Sequence, residues 1–333
     1  MNSSPDLLLN FPLRCRPLYK AKIWGGRGLE RVLGKVLPPG ELIGESWEVA
    51  DVPAGCSSIA DGPLAGLTLR EVTQQFGEQL LPGSESAEFP LLVKFLDVQQ
   101  MSSVQVHPTA DVCSRLYPLE RGKTETWIIL DAAPDAAVLH GVQEGVTLEE
   151  IRGRITDGSI MQIMRRIGVA HGDVVHLPAG TLHALLPGVV LLEVQEPSDS
   201  TFRVHDHDRI DADGLPRELH VNQALESIHV RQTDAAIMAP VVESREWGTR
   251  EVLVNINAYR VERLKLTGMT EWRYGDAPAV VVVTAGDALA VRWGGEEAVY
   301  HLGETFIMPP AVENAAIRSE GSSVEIIVAF PSE

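Results

Sequence analysis

The stretch Gly172-Asp173-Val174-Val175-His176-Leu177-Pro178-Ala179-Gly180-Thr181-Leu182-His183 decides how the rest of the chain is read. A short apolar strand runs into a Pro/Gly corner, and a histidine then heads a second apolar run from Ala184 to Val194. Proline and glycine set a tight turn between strands, so His183 is expected at a defined place on a sheet. Its candidate partners lie upstream. Gln105 and His107 are two residues apart, which puts both side chains on one face of a strand. Glu125 sits in a further strand-like run, Thr124 to Leu130. Two imidazoles, a carboxylate and an amide oxygen form a mixed N/O set that suits zinc or another first-row divalent metal, with positions open for water or substrate.

Composition bounds the rest. The chain has 333 residues, 44% of them hydrophobic, and a formal net charge of −18. That length suits two domains, or one with decoration. The acidity disfavours nucleic acid and anionic membranes as partners, and an anionic substrate would need a local basic cluster working against the overall field. No apolar run approaches the roughly 20 residues of a membrane span, and Leu7-Leu8-Leu9 lacks a basic leader. Cys15, Cys56 and Cys113 are odd in number and widely spaced, which argues against a disulfide framework and for the reducing cytoplasm.

Residues 1–16 read as a loosely held arm. Helical spacing is expected over about 66–82, with Thr68 as N-cap and Glu71 three residues later, and over about 146–167, taken as a helical insertion. The runs around Trp24 and Trp47 read either as tryptophans packed on a sheet or as part of a site. The His205/His207 pair offers no distant fourth ligand, so a polar wall is preferred there to a second metal centre. From about residue 240 the chain is again strand-rich, and Gly303 to Asn314 can be laid on Gly172 to His183 with Asn314 in the histidine's position.

Many short strands with Gly/Pro corners suit a double-sheet jelly roll or small barrel, and the Gly172–His183 spacing matches the second half of the cupin signature. The expected fold is mainly β, with two cupin-like jelly-roll or β-sandwich domains and a helical insertion. The domains would be 1–239, carrying the metal site, and 240–333, without metal ligands.

Six segments taken together resemble type I mannose-6-phosphate isomerases of the short bacterial form, over about residues 17–230. They open at Lys22-Ile23-Trp24-Gly25-Gly26, Gly44-Glu45-Ser46-Trp47, Ser103-Val104-Gln105-Val106-His107, Gly122-Lys123-Thr124-Glu125, Pro178-Ala179-Gly180 and Ser198-Asp199-Ser200. The resemblance implies one Zn2+ per chain, held by Gln105, His107, Glu125 and His183. It implies Arg203 as the active-site arginine, Lys123 as a pocket lysine and Glu193 as a third residue facing the site, with the general base open between Glu193 and a histidine. The chain departs from the family at Glu196-Pro197 and at His205 and His207, which bears on substrate preference.

The activity implied is interconversion of mannose 6-phosphate and fructose 6-phosphate through an enediol. Arg203 can fork to phosphate or enediolate. Ser102, Ser103, Lys94 and Arg209 are weaker phosphate candidates. The alternatives are a metal-cupin isomerase or epimerase on another sugar phosphate, and a non-catalytic sugar-binding cupin. The expected partner is a small-molecule sugar phosphate, and the expected assembly a monomer or small homo-oligomer.

Overall fold

Two strands, Leu92–Val98 and Val189–Gln195, are buried at every position, the mark of strands covered on both faces. They lie side by side in a six-stranded antiparallel sheet ordered Val174–Leu177, Glu125–Ala132, Val189–Gln195, Leu92–Val98, Ile43–Val49, Leu18–Gly26. The computed structural model describes residues 8–118, 121–210, 214–230, 236–275 and 277–332. On one side the six-stranded sheet meets a five-stranded sheet ordered Met164–Gly168, Ala137–Val142, His183–Leu185, Val104–Val106, Phe202–His205. On the other it packs against an eight-stranded sheet built largely from the C-terminal part of the chain.

The side-chain period of two sorts the middle sheet. Val93, Phe95, Ile128, Val190, Leu192 and Val194 join the large core shared with Tyr259, Val261, Val280 and Ile327. The alternate residues Leu96, Val98, Trp127, Ile129, Val189 and Leu191 pack toward the five-stranded sheet. Lys94, Glu125 and Glu193 have the same parity as this second set, so three ionisable groups project between the two sheets. In the five-stranded sheet Val104, Val106, Leu182, Ala184, Phe202 and Val204 face outward, into a core closed by the helices Leu148–Thr156 and Val221–Ser227. Gln105, His183 and Arg203 therefore face inward. The register aligns them, His183 opposite Gln105 and Gln105 opposite Arg203.

Glycine lets the Lys22–Gly26 run lie flat on its neighbour. A Cβ on Gly25 would fall 2.3 Å from the Gly44 nitrogen, a clash no side chain survives. The first expected helix is Leu69–Leu80, opened by a full capping box between Thr68 and Glu71. The second is shorter than expected. Thr147 caps Leu148–Thr156, but Gly158 has φ 75°, a 3-10 turn spans Ile160–Ile163, and Met164–Gly168 is a strand on Ala137–Val142. The glycine stops the helix, and the sheet edge then recruits the residues beyond it.

The expected N-terminal arm, 1–16, is corrected at Leu13–Arg16, while its residues 1–7 lie outside the described residues. Leu13–Arg16 pairs with Thr305–Met308 and with Ser58–Ile59, so both N-terminal strands complete the eight-stranded sheet whose first strand is Val241–Arg245. The sequence echo has a structural counterpart, since the strand Thr305–Met308 is Val174–Leu177 displaced by 131 residues at both ends. Gly303 and Gly172 both take positive φ, at 78° and 91°. A four-stranded sheet packs on the far face of the eight-stranded one around a second core that includes Phe306 and Leu289.

Leu13 is wholly buried in the shared core. Leu13→Ala is expected to lower unfolding free energy by about 2–4 kcal/mol in urea denaturation. A loss below about 0.5 kcal/mol would mean the segment is an arm after all.

Candidate metal centre and active-site cleft

Three of the four expected ligands converge. His107, Glu125 and His183 are buried, with donor atoms all within 4.8 Å of one another, the one such cluster found among the described residues. Glu125 opens its strand opposite Leu177, at the end of the Val174–Leu177 strand. His183 begins the strand that comes after the Pro178/Gly180 corner. His107 lies one residue beyond the short strand Val104–Val106 rather than on it.

Hydrogen bonds behind the ligands fix their protons. His107 Nδ1 is 2.8 Å from the Ser200 carbonyl, and His183 Nδ1 is 2.9 Å from the Thr181 carbonyl. A carbonyl only accepts, so each Nδ1 carries the hydrogen and each Nε2 presents a lone pair. Those lone pairs point at Glu125, with Nε2 of His107 3.3 Å from Oε2 and Nε2 of His183 3.4 Å from Oε1. Burial and the nearby Lys123 push His107 down to about 4, and burial lowers His183 as well, so both rings are neutral. Burial opposes charge on Glu125, yet Lys123 and then His107 hold its carboxyl well below the usual range.

Both Glu125 oxygens are buried without a hydrogen-bond donor; Lys123 Nζ comes within 2.9 Å of Oε2, at an angle that makes no hydrogen bond. Lys123 Nζ lies 3.2 Å from His107 Nε2, but neither Glu125 oxygen has a donor, and a buried carboxylate facing two imidazole lone pairs suits a bound cation. The set fits a divalent metal, two imidazoles and a carboxylate with second-sphere carbonyls setting the tautomers. Gln105 stands beside the set with its amide nitrogen 3.3 Å from His183 Nε2 and its oxygen accepting from Ser103 Oγ at 2.9 Å. Half a turn about the terminal bond exchanges the two atoms.

The centre opens into a cleft of about 270 Å³, of small-molecule scale. Lys22, Lys94, Lys123, Arg203 and Arg217 line it against four carboxylates, Glu45, Glu125, Glu193 and Asp199, a lining that is net positive inside a chain of net charge −18. Lys94 and Glu193 sit directly opposite each other on adjacent strands, 3.2 Å apart, and Trp127 Nε1 donates to Glu193 at 2.9 Å. Arg203 Nη1 donates to the Glu218 carbonyl at 3.1 Å. Asp206 binds Arg209 and Arg217.

Of the weaker candidates, Ser102, Ser103 and Lys94 line the cleft, whereas Arg209 turns away to the Met101 carbonyl at 2.7 Å. His207 spends its Nε2 on the Ser102 carbonyl at 2.9 Å, a polar wall as expected. Trp47 is a packed core residue, but Lys22, Trp24 and Glu45 from the two glycine-rich runs are cleft residues. Arg217 and His220 line the cleft without any signal in the sequence.

Fold and site together define a cupin-type protein whose candidate metal centre faces a cationic cleft. A profile described as phosphomannose isomerase type I, catalytic domain, matches residues 11–132. The mannose-6-phosphate isomerase of Streptococcus mutans is 32% identical over 326 residues, covering 97% of this chain and 99% of that protein. The mannose-6-phosphate isomerase ManA of Bacillus subtilis is 39% identical over 219 residues, 66% of this chain and 68% of that protein. The crystal structure of a mannose 6-phosphate isomerase from Bacillus subtilis superposes with a TM-score of 0.89 at 32% identity, covering 96% of this chain and 99% of that one. The chain belongs to the type I phosphomannose isomerase family. Among the described residues no helix is long and apolar enough to cross a membrane.

His183→Ala is expected to abolish stoichiometric zinc binding in a folded protein, read by metal analysis after gel filtration; a fully loaded variant would remove His183 from the ligand set. Acid stability offers a second check at Glu45. Burial alone would raise its carboxyl, but Lys94, Lys22 and the Trp47 indole hold it at about 2, against an ordinary 4.5. Its contribution is complete above pH 4.5 and fades as pH falls toward 2. Glu45→Gln should therefore cost about 1–3 kcal/mol at neutral pH, with the gap to wild type narrowing below pH 4.5 in urea titrations. A pH-independent gap would contradict the assignment.

Proposed function

We propose that this chain is a zinc-dependent aldose–ketose isomerase that interconverts mannose 6-phosphate and fructose 6-phosphate by moving a proton between C1 and C2. The observation that carries the reading is the buried His107, Glu125 and His183 set opening on a cationic cleft in an otherwise acidic chain. These three residues, joined by Gln105 once its amide is turned, would hold one zinc ion. Bound there, the ion would supply Lewis-acid polarisation of the sugar's C1 and C2 oxygens.

The remaining chemistry belongs to the cleft side chains. Arg203 carries a permanent charge and a planar fork suited to the developing enediolate. Lys123, buried beside Glu125, adds a second positive charge there. Of the histidines at the site, His107 and His183 belong to the ligand set and His220 spends its Nδ1 accepting from the Arg203 N–H at 3.3 Å, so we look for the base among the four cleft carboxylates. Glu125 belongs to the ligand set, Glu45 is held at about 2 and is a weak base, and Asp199 is exposed. Glu193 is left, buried and oriented by Trp127 and Lys94, and we assign the proton transfer to it. The departures at Glu196-Pro197, His205 and His207 all lie outside the cleft lining, which supports an unaltered substrate.

A coupled isomerase assay on mannose 6-phosphate tests the reading. Turnover should vanish with chelator and return with zinc, and absence of turnover in folded, zinc-loaded protein would overturn it. Arg203→Ala and Glu193→Gln should each retain zinc and lose about 10²–10³-fold in kcat; undiminished turnover in either variant would remove that residue from the mechanism.

A further inference from the structure

Charge matching along the cleft locates a residue that no sequence motif marks. Each cleft lysine has a cleft carboxylate beside it, Lys22 with Glu45 at 3.2 Å, Lys94 with Glu193 at 3.2 Å and Lys123 with Glu125 at 2.9 Å. Near the Arg203 wall the balance differs. Asp206, only 7% exposed, is shared by two guanidiniums. Arg217 grips it through Nε, 2.8 Å from Oδ2, and through Nη2. Arg209 reaches it through Nη2 and spends Nε and Nη1 on the Asp206 and Met101 carbonyls, at 3.1 and 2.7 Å. Among the described residues this one carboxylate ion-pairs with two guanidiniums, so the trio carries a net positive charge. Of the two arginines, Arg217 lines the cleft, alongside Arg203, Thr201 and His220, and its Nη1 group lies outside the fork to Asp206.

We propose that Arg217 is the residue through which the cleft recognises the substrate's phosphate group, with Asp206 as the positioning residue that aims it. This rests on the sugar-phosphate reading of the same cleft. A phosphate dianion seeks surplus cationic charge that can also form charge-assisted hydrogen bonds, and a guanidinium already fixed on one edge loses little side-chain entropy in giving its other edge to an oxyanion. The matched lysines offer no comparable excess.

Steady-state kinetics on mannose 6-phosphate and calorimetric titration with inorganic phosphate, both on zinc-loaded protein, test the proposal. Arg217→Ala should raise KM about 10- to 100-fold and weaken phosphate binding in parallel, with kcat changed less than about threefold. Arg217→Lys, which keeps the charge but not the fork, should fall between and serves if the alanine variant fails to fold. Asp206→Asn should raise KM in the same direction with kcat retained. Unchanged KM and phosphate affinity in folded Arg217→Ala, or a loss confined to kcat, would overturn the proposal. The phosphate titration needs no turnover, so Arg217-dependent phosphate binding in a wild type inactive on mannose 6-phosphate would sink the isomerase reading and leave the anion site standing.

Discussion

A carboxylate buried against two imidazole lone pairs is the constraint on which the site depends. Glu125, His107 and His183 come from three separate strand ends, and the histidine tautomers are set by the Ser200 carbonyl from a distant segment and by the Thr181 carbonyl of His183's own corner. Both Glu125 oxygens are buried without a hydrogen-bond donor, an arrangement that a bound cation would relieve. The fold supplies the rigidity that keeps it so. The middle sheet is packed on both faces, and the wholly buried residues that alternate with Lys94, Glu125 and Glu193 lock those side chains toward the cleft.

The C-terminal half contributes by support. Its eight-stranded sheet covers the back of the middle sheet, and Tyr259 reaches Thr126, the neighbour of Glu125, at 3.0 Å. Arg263 donates to the Gly172 carbonyl at 2.8 Å, at the start of the turn-bearing stretch that ends in His183. The ligand strands are thus braced from behind by a β-sandwich whose own turn at Gly303 ends in Asn314 where the first has histidine.

The features legible in the sequence are those set by local interactions. The Gly172–His183 corner, the Thr68 capping box and the two-residue spacing of Gln105 and His107 are short-range patterns; they point to the β fold and to the His107, Glu125 and His183 cluster, although His107 falls one residue past its strand. Leu13–Arg16 is too short to show a period, and its pairing partners lie in distant parts of the chain. Met164–Gly168 becomes a strand because an edge is available on Ala137–Val142, a tertiary effect that helical spacing overlooks. Lys22 and Glu45 sat in visible motifs, but only the pairing of their strands shows that they share the cleft. Arg217 arrives on an irregular segment and is aimed by Asp206, so nothing in its local sequence marks it.

The most direct measurement is equilibrium dialysis of chelator-stripped protein against Zn2+, with thermal unfolding monitored on the same samples. One ion is expected to bind per chain, and the unfolding temperature to rise with free zinc, as binding to the native state alone requires. Absence of a stoichiometric ion, or zinc uptake that leaves the unfolding temperature unchanged, would contradict the claim that the His107–Glu125–His183 cluster is built around a metal.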